Sequence, residues 1–423
     1  MSQHMAVRLH KAAERAVKQG HPWIFSKGID KLNKQGQAGD LAMVFGRRDN
    51  KLIAIGLYDP ASPVRIKVIH HGGPQGIDAD FFRGRIREAR QLREPLLSSP
   101  SPSVPTLPTS PTDAPPGPHK VDLGERATTA YRLLFGENDG FPGLVTDVYG
   151  TVAVIKLYSA IWFPWLEMIV PQIVAVAGVH AVVLRLSRHL QQAATPLREG
   201  DVLHGELPDP EVEFQEYGVR FRAHVLLGHK TGFFLDHRAN RHRIGQLARG
   251  KSLLDVFAYA GGFSVHALAG GATGVTSVDI SRQALDLAVR NASLNPHAGK
   301  HITVAGDAFE VLARLVAEHR RYGIVVIDPP SFAKSEKEMA GALRKYAELA
   351  LLGARLTEKG GLLVLASCSS RITTDEFLQV HRTAFGRAGV PCTLEDVTGH
   401  DIDHPVRFPE GAYLKTAYYR MNG

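Results

Sequence analysis

From Lys251 onward, apolar runs of strand length alternate with amphipathic helical segments, and this alternation leaves few architectures open. Strands are predicted at 252–259, 274–280, 301–304, 323–327 and 361–367, with helices ending at Ala269 and spanning 283–294, 309–319 and 338–356. A helix between successive strands returns the chain to the same end of the sheet, so the strands run parallel. The expected fold is a Rossmann-like, doubly wound α/β sheet with its ligand at the carboxyl ends of the strands.

Acids occupy those ends. Asp255, Asp279, Asp307 and Asp328 each fall at or just beyond the end of one of the first four predicted strands, so they line one crevice. Asp279 lies 24 residues after Asp255, close to the spacing at which an acid meets ribose hydroxyls in nucleotide-binding sheets. Between them, Gly261-Gly262 supplies a tight turn, but the loop lacks GxGxxG, which disfavours a dinucleotide. No phosphate loop of the GxxxxGK(S/T) type occurs, which argues against an ATPase. In Asp328-Pro329-Pro330-Ser331-Phe332 two prolines stiffen a strand exit, so that carbonyls and an aromatic ring can hold a planar base. Cys368 ends the fifth strand beside that loop, where a thiolate could act as a nucleophile. In isolation such a cysteine packs as a small hydrophobe, which is how Cys392 is read.

The upstream half is organised differently. Short apolar runs at 42–45, 52–58 and 64–69, separated by turn signals, predict a small β-barrel, and 80–97 reads as an arginine-rich helix. Pro95 to Pro118 holds nine prolines in 24 residues and is expected to be a disordered or polyproline-like insert. A strand at 151–157, an apolar helix at 165–177 and a strand at 181–187 indicate a central α+β unit. The expected division is a β-barrel over 1–75, a central α+β domain over 76–225 carrying insert 95–118, and the α/β domain over 226–423.

Charge separates these parts. Of the 50 Lys and Arg and 42 Asp and Glu, 17 and 9 precede residue 95, leaving 33 of each in the rest, so the net charge of +8 resides in the N-terminal module. An acidic polymer is the expected partner, most commonly a nucleic acid. Arg8, Lys11, Trp23, Lys27, Arg65, Arg83 and Arg87 are its candidate contacts. With two cysteines, neither a disulfide framework nor a four-cysteine zinc site can form, and the histidines show no ligand spacing, so no metal is expected. The longest apolar stretch, 168–184, is interrupted by Pro171, Gln172 and His180, and the first residues lack a signal pattern. A cytoplasmic protein without a membrane partner is therefore expected.

Six motifs in register carry a resemblance. His21-Pro22-Trp23-Ile24-Phe25 with Tyr58-Asp59-Pro60-Ala61-Ser62, then Phe135 to Leu144, Thr231 to Arg238, Asp328-Pro329-Pro330, Ser367-Cys368-Ser369 and Pro409 to Lys415 occur in that order. Over nearly its whole length the chain resembles the ribosomal large-subunit RNA methyltransferase I family, which are cytosine-C5 enzymes using S-adenosyl-L-methionine. The resemblance implies an N-terminal PUA domain, a central α+β domain, a methyltransferase domain and large-subunit ribosomal RNA as partner, and leaves a homodimer open. It implies that Asp255 and Gly261 shape the methionine end of the cofactor site, Asp279 binds the ribose and Asp307 meets the adenine. Phe234, Asp236 and Arg238 would cover the cofactor. Cys368 would be the nucleophile and Asp328 a second catalytic residue, bonding the cytosine N3 or N4 region and assisting proton transfer, with Pro329, Pro330 and Phe332 around the target base. Other RNA cytosine methyltransferases place a second cysteine beside the two prolines, and here that position is Ser331. An RNA N-methyltransferase of the same fold and a non-catalytic RNA-binding assembly factor are the competing readings.

Overall fold

The computed structural model describes residues 3–97, 127–333 and 335–422. Its C-terminal sheet contains β1 (Ser252–Val256), β2 (Gly274–Asp279), β3 (Lys300–Ala305), β4 (Tyr322–Ile327), β5 (Thr357–Ser367), β6 (Cys392–Thr398) and β7 (Lys415–Met421), in the spatial order 3-2-1-4-5-7-6. The first five strands are parallel, as the alternation requires. β7 runs antiparallel to both β5 and β6, so the sheet is mixed rather than parallel throughout. The cause is the connection: after β6 the chain returns through a loop instead of a crossover helix, which reverses β7. The strand order reverses direction between β1 and β4, and a ligand crevice opens there.

Upstream, six strands between His4 and His71 form one sheet, antiparallel except where His4–Leu9 runs parallel to Leu41–Phe45. A five-stranded sheet follows, built from Ala130–Phe135, Leu144–Tyr149, Val152–Leu157, Ala181–Leu186 and Val202–His204, with the apolar helix Leu166–Ala177 as its crossover. The helix expected over 80–97 is two pieces. Ala79–Leu92, capped by the Asp78 carboxylate accepting from Phe81 N–H, ends at Arg93, and Glu94–Leu97 forms a separate turn with Leu96 buried. The first three residues of the expected insert, 95–97, are thus helical, and the rest, 98–118, lies outside the described residues.

Packing couples these units. Leu41, Ile55 and Leu57 of the first sheet share one buried cluster with Phe82 and Ile86 of the helix and with Phe141, Trp162 and Ile169 of the central unit. The hairpin Glu211–Glu216/Val219–His224 sends Phe214 and Phe221, stacked with centroids 5.6 Å apart, into the core beneath β1, β4 and β5. Its apolar positions belong with that core although they precede residue 226.

Buried ion pairs join the end of the helix Ala79–Leu92, the central sheet and the C-terminal part. Arg93, which the sequence places in the arginine-rich helix, is fully buried and grips Asp139 through two hydrogen bonds of 3.0 and 2.6 Å while donating to the Asp403 carbonyl. Arg132 forms a two-pronged pair with Asp147, and its backbone N–H donates to the Asp403 carboxylate at 2.9 Å. Truncating one member of a buried pair strands the other charge in a low-dielectric interior. Arg93→Ala is therefore expected to cost about 3–5 kcal/mol, read as a lower urea midpoint at unchanged slope. A loss under about 1 kcal/mol would mean that Asp139 is rehydrated in the variant.

Candidate active site

The crevice is walled first by the loop after β1. Phe257, Tyr259 and Gly261 all have positive φ, at 65°, 47° and 77°. Two non-glycine residues in this costly conformation mark a loop held by its surroundings, a feature that clusters at ligand sites. Tyr259 N–H donates to Asp279 Oδ2 at 2.9 Å and Ser281 N–H to Asp279 Oδ1 at 2.8 Å, which pins the Asp279 carboxylate at the mouth of the crevice. Gly261 precedes the helix Gly262–Ala269, and a Cβ there would meet the Ala288 Cβ at 2.7 Å, so glycine is needed both for its φ and for close helix packing. Asp255 is buried and accepts from Ser264 N–H and Oγ–H at 3.0 and 2.6 Å. Burial raises its pKa to about 7 against those hydrogen bonds, with Asp328 and Asp279 adding to the rise. Asp307 is exposed and caps the helix Ala308–Ala317 through Phe309 and Glu310 N–H.

The segment 229–238 forms the opposite wall. The Phe234 ring meets Tyr259 edge-on at 5.3 Å and carries the Lys230 ammonium 4.5 Å above its face. Asp236 is buried and accepts from Tyr413 O–H at 2.9 Å. Burial opposes its charge, but Lys230, His237, His404 and Arg132 outweigh that and hold its pKa below the carboxylate range. Arg238 does not cover the crevice as expected. It is fully buried, bonded to Asp401 at 2.8 Å, to Asp403 at 2.7 Å and to the Ala130 carbonyl at 3.2 Å. These three partners hold the guanidinium through Nη1 and Nη2 and so anchor the segment.

β4 and β5 finish side by side at the same edge of the sheet. Cys368 is half-buried with Sγ 3.9 Å from the Pro329 carbonyl. Burial, reinforced by Asp328, raises its pKa to about 11, while Lys230 acts in the opposite sense. Lys415 Nζ donates to the carbonyls of Ser369, Ile372 and Tyr413 and so clamps the turn after Cys368. Burial lowers the Lys415 pKa to about 8. Asp328 Oδ1 lies 3.3 Å from Nε2 of the buried His237. Pro329 is buried and Pro330 exposed. Phe332 packs against Tyr346 at 5.3 Å and carries the Lys345 ammonium 4.9 Å from its ring centre, so this ring is engaged within the protein rather than open for stacking on a base.

The basic candidates are scattered in role. Lys11, Lys27 and Arg87 are exposed, and Arg8 is exposed with a bond to Asn50. Arg65 folds back onto the Pro60 carbonyl, and Arg83 binds Gln172 and Asp80. Trp23 is a contact between modules: its indole N–H donates to Glu137 at 3.0 Å and its ring meets Phe408 at 5.2 Å. The one polar group of Trp23 is thus used within the protein.

Sequence reasoning passed over several residues that the fold brings to the crevice. Lys230 immediately precedes the motif Thr231 to Arg238, His237 lies within it, and Tyr413 and Lys415 lie within Pro409 to Lys415, all without an assigned role. Asn240, which bonds to His237, gave no signal at all. Ile280, immediately after Asp279, is 78% exposed and offers an apolar face beside the acid. Among the described residues no cluster of three or more metal-ligating side chains occurs.

Comparison with known proteins accords with this geometry. A family model of S-adenosylmethionine-dependent methyltransferases matches residues 163–387, and a PUA-like domain matches residues 7–71. The chain is 41% identical to a ribosomal RNA large subunit methyltransferase of Deinococcus radiodurans over 99% of this chain and 98% of that one. It is 32% identical to ribosomal RNA large subunit methyltransferase I of Shewanella frigidimarina, over 98% and 99% of the two chains. Among solved structures, a candidate methyltransferase in complex with S-adenosylhomocysteine superposes with a TM-score of 0.78 at 21% identity, covering 99% of this chain and all of that one. The chain thus belongs to the ribosomal RNA large subunit methyltransferase family, whose S-adenosylmethionine-dependent catalytic sheet it carries behind a PUA-like N-terminal domain.

Proposed function

We propose that this protein methylates C5 of a cytosine in large-subunit ribosomal RNA, with Cys368 as nucleophile. The observation that carries the reading is the juxtaposition at the ends of β4 and β5 of a thiol against the Pro329 carbonyl, with Asp328 as neighbour. S-adenosylmethionine supplies an electrophilic methyl group. The residues present suit that cofactor: the strained loop 257–261 closes on Asp279, whose carboxylate can receive ribose hydroxyls, and the exposed Ile280 offers an apolar face to the adenine. Asp255 lies deeper in the same crevice, towards the methionine end, and Asp307 borders the adenine side. Phe234 and Asp236 form the facing wall.

Cytosine C5 is a weak nucleophile, so the base needs activation by addition at C6. The Cys368 thiolate adds to C6, C5 becomes enamine-like and takes the methyl group, and a general base then takes the C5 proton as the C6–S bond breaks and the thiolate is released. Asp328 accepts from the N4 amine of a base that has left its stack. The raised Cys368 pKa keeps the resting thiol protonated, and Lys230 and Lys415 are the chain's own cations that favour thiolate once the site is filled.

The ligand-free thiol is expected to be alkylated by iodoacetamide at a rate rising about tenfold per pH unit from pH 7 to 10, measured by mass spectrometry in a Cys392→Ser background. A plateau below pH 9 would show a thiolate already stabilised. Wild type should produce 5-methylcytidine in unmodified large-subunit ribosomal RNA, and Cys368→Ala should produce none; a methylated purine, or full activity in the variant, would move the reading to N-methylation. Neutralising the exposed Lys11, Lys27 and Arg87 should lower the slope of log binding constant against log salt by about one for each phosphate that no longer meets a cation. Identical slopes would remove the N-terminal module as RNA anchor.

A further inference from the structure

His237 is buried to 4% exposure beneath the crevice, and the methyl-transfer scheme leaves it without a role. Its two nitrogens are in unlike surroundings. Nδ1 lies 3.1 Å from Asn240 Nδ2. Asn240 is itself oriented by three hydroxyls: those of Thr398 and Tyr418 donate to Oδ1 at 2.7 and 2.8 Å, and Nδ2 donates to Thr416 Oγ1 at 3.2 Å. The amide therefore presents N–H to the ring, Nδ1 accepts, and the proton of the neutral imidazole resides on Nε2. Nε2 has no aligned hydrogen-bond acceptor among the described residues, and Asp328 Oδ1 stands 3.3 Å away. A buried donor left in this state is costly unless an arrangement in the working site satisfies it, and contacts of this kind tighten when substrate fills a site.

We propose that His237 is a positioning residue that sets base specificity: its Nε2–H holds Asp328 Oδ1 and leaves Oδ2 as an acceptor facing the target base. This rests on the assignment of Asp328 to the base edge. An acceptor at that point matches the exocyclic amine of cytosine and repels the O4 carbonyl of uracil, which would need a donor. The chain of contacts runs from the β6 and β7 hydroxyls through Asn240 and His237 to Asp328 just after β4, so strands on one side of the sheet orient a group at its centre.

The test uses the full-length enzyme and RNA carrying either cytidine or uridine at the methylated position. His237→Ala is expected to lower kcat about 100-fold with cofactor KM unchanged, and to narrow the preference for cytidine over uridine. His237→Gln, which can still donate towards Asp328, should recover most of both. Combining His237→Ala with Asp328→Asn should do no more harm than Asp328→Asn alone, since the two act as one unit. Calorimetric binding of S-adenosylhomocysteine confirms that each variant is folded. In wild type, two-bond proton–nitrogen spectra of labelled histidine should find Nε2 protonated, and a ring protonated on Nδ1 alone would overturn the inference. So would an unaffected His237→Ala, or losses that multiply in the double variant, when Asp328→Asn is impaired. Wild-type activity in Asp328→Asn would instead remove the Asp328 assignment, and the inference with it.

Discussion

The structure depends most on a buried array of arginine–aspartate pairs centred on Asp403. That residue receives Arg238 on its carboxylate, the Arg132 N–H on the same group, the Arg93 guanidinium on its carbonyl, and the neighbouring His404 ring at 2.8 Å. Burying so many charges is expensive, and the cost is offset only where every fork and lone pair finds a partner. Arg93, Arg132 and Arg238 each meet a carboxylate with at least one hydrogen bond of 2.9 Å or shorter. The array holds together the end of an N-terminal helix, the central sheet and a loop of the catalytic part, and geometric demand of this kind fixes how the three parts meet.

From that array the order propagates to the crevice. Thr231 donates to Asp147, the partner of Arg132, at 2.6 Å, and Arg238 is locked at the other end of the same segment. Phe234, Asp236 and His237 lie between these two anchors. The loop that leads from Asp403 into β7 brings Tyr413 onto Asp236 and Lys415 beneath the turn after Cys368. Thus the wall facing the 257–261 loop and the support for the turn after Cys368 hang from one network, and the geometry at the ends of β4 and β5 is set by charges well away from it.

Much of this is legible in the sequence because local pattern and global fold agree. The strands predicted at 274–280 and 323–327 form at Gly274–Asp279 and Tyr322–Ile327, and the helix predicted over 338–356 forms at Met339–Leu356. Strand-end acids and the Asp328-Pro329-Pro330 exit fall at the crevice because position along a parallel strand dictates position in space. The failures share one cause. The resemblance places Arg238 over the cofactor, and the basic module makes Trp23 a candidate nucleic-acid contact, yet each bonds a partner more than 40 residues away in sequence: Asp403 and Glu137. The break at Arg93 in the predicted helix has the same origin, since the side chain is drawn into the array.

What the sequence by itself determined is whatever depends on period and order: alternating strand and helix, the parallel core of the sheet, the acids at its carboxyl edge, and a basic module ahead of it. Those features follow from side-chain periodicity and chain connectivity, which are local. The tertiary structure alone decided which arginines are buried, that β7 turns back between β5 and β6, and that His237 faces Asp328 with Asn240 behind it. Each of these is a pairing between distant segments, and the energy that selects it, desolvation set against hydrogen bonding, exists only once the chain has brought the partners together.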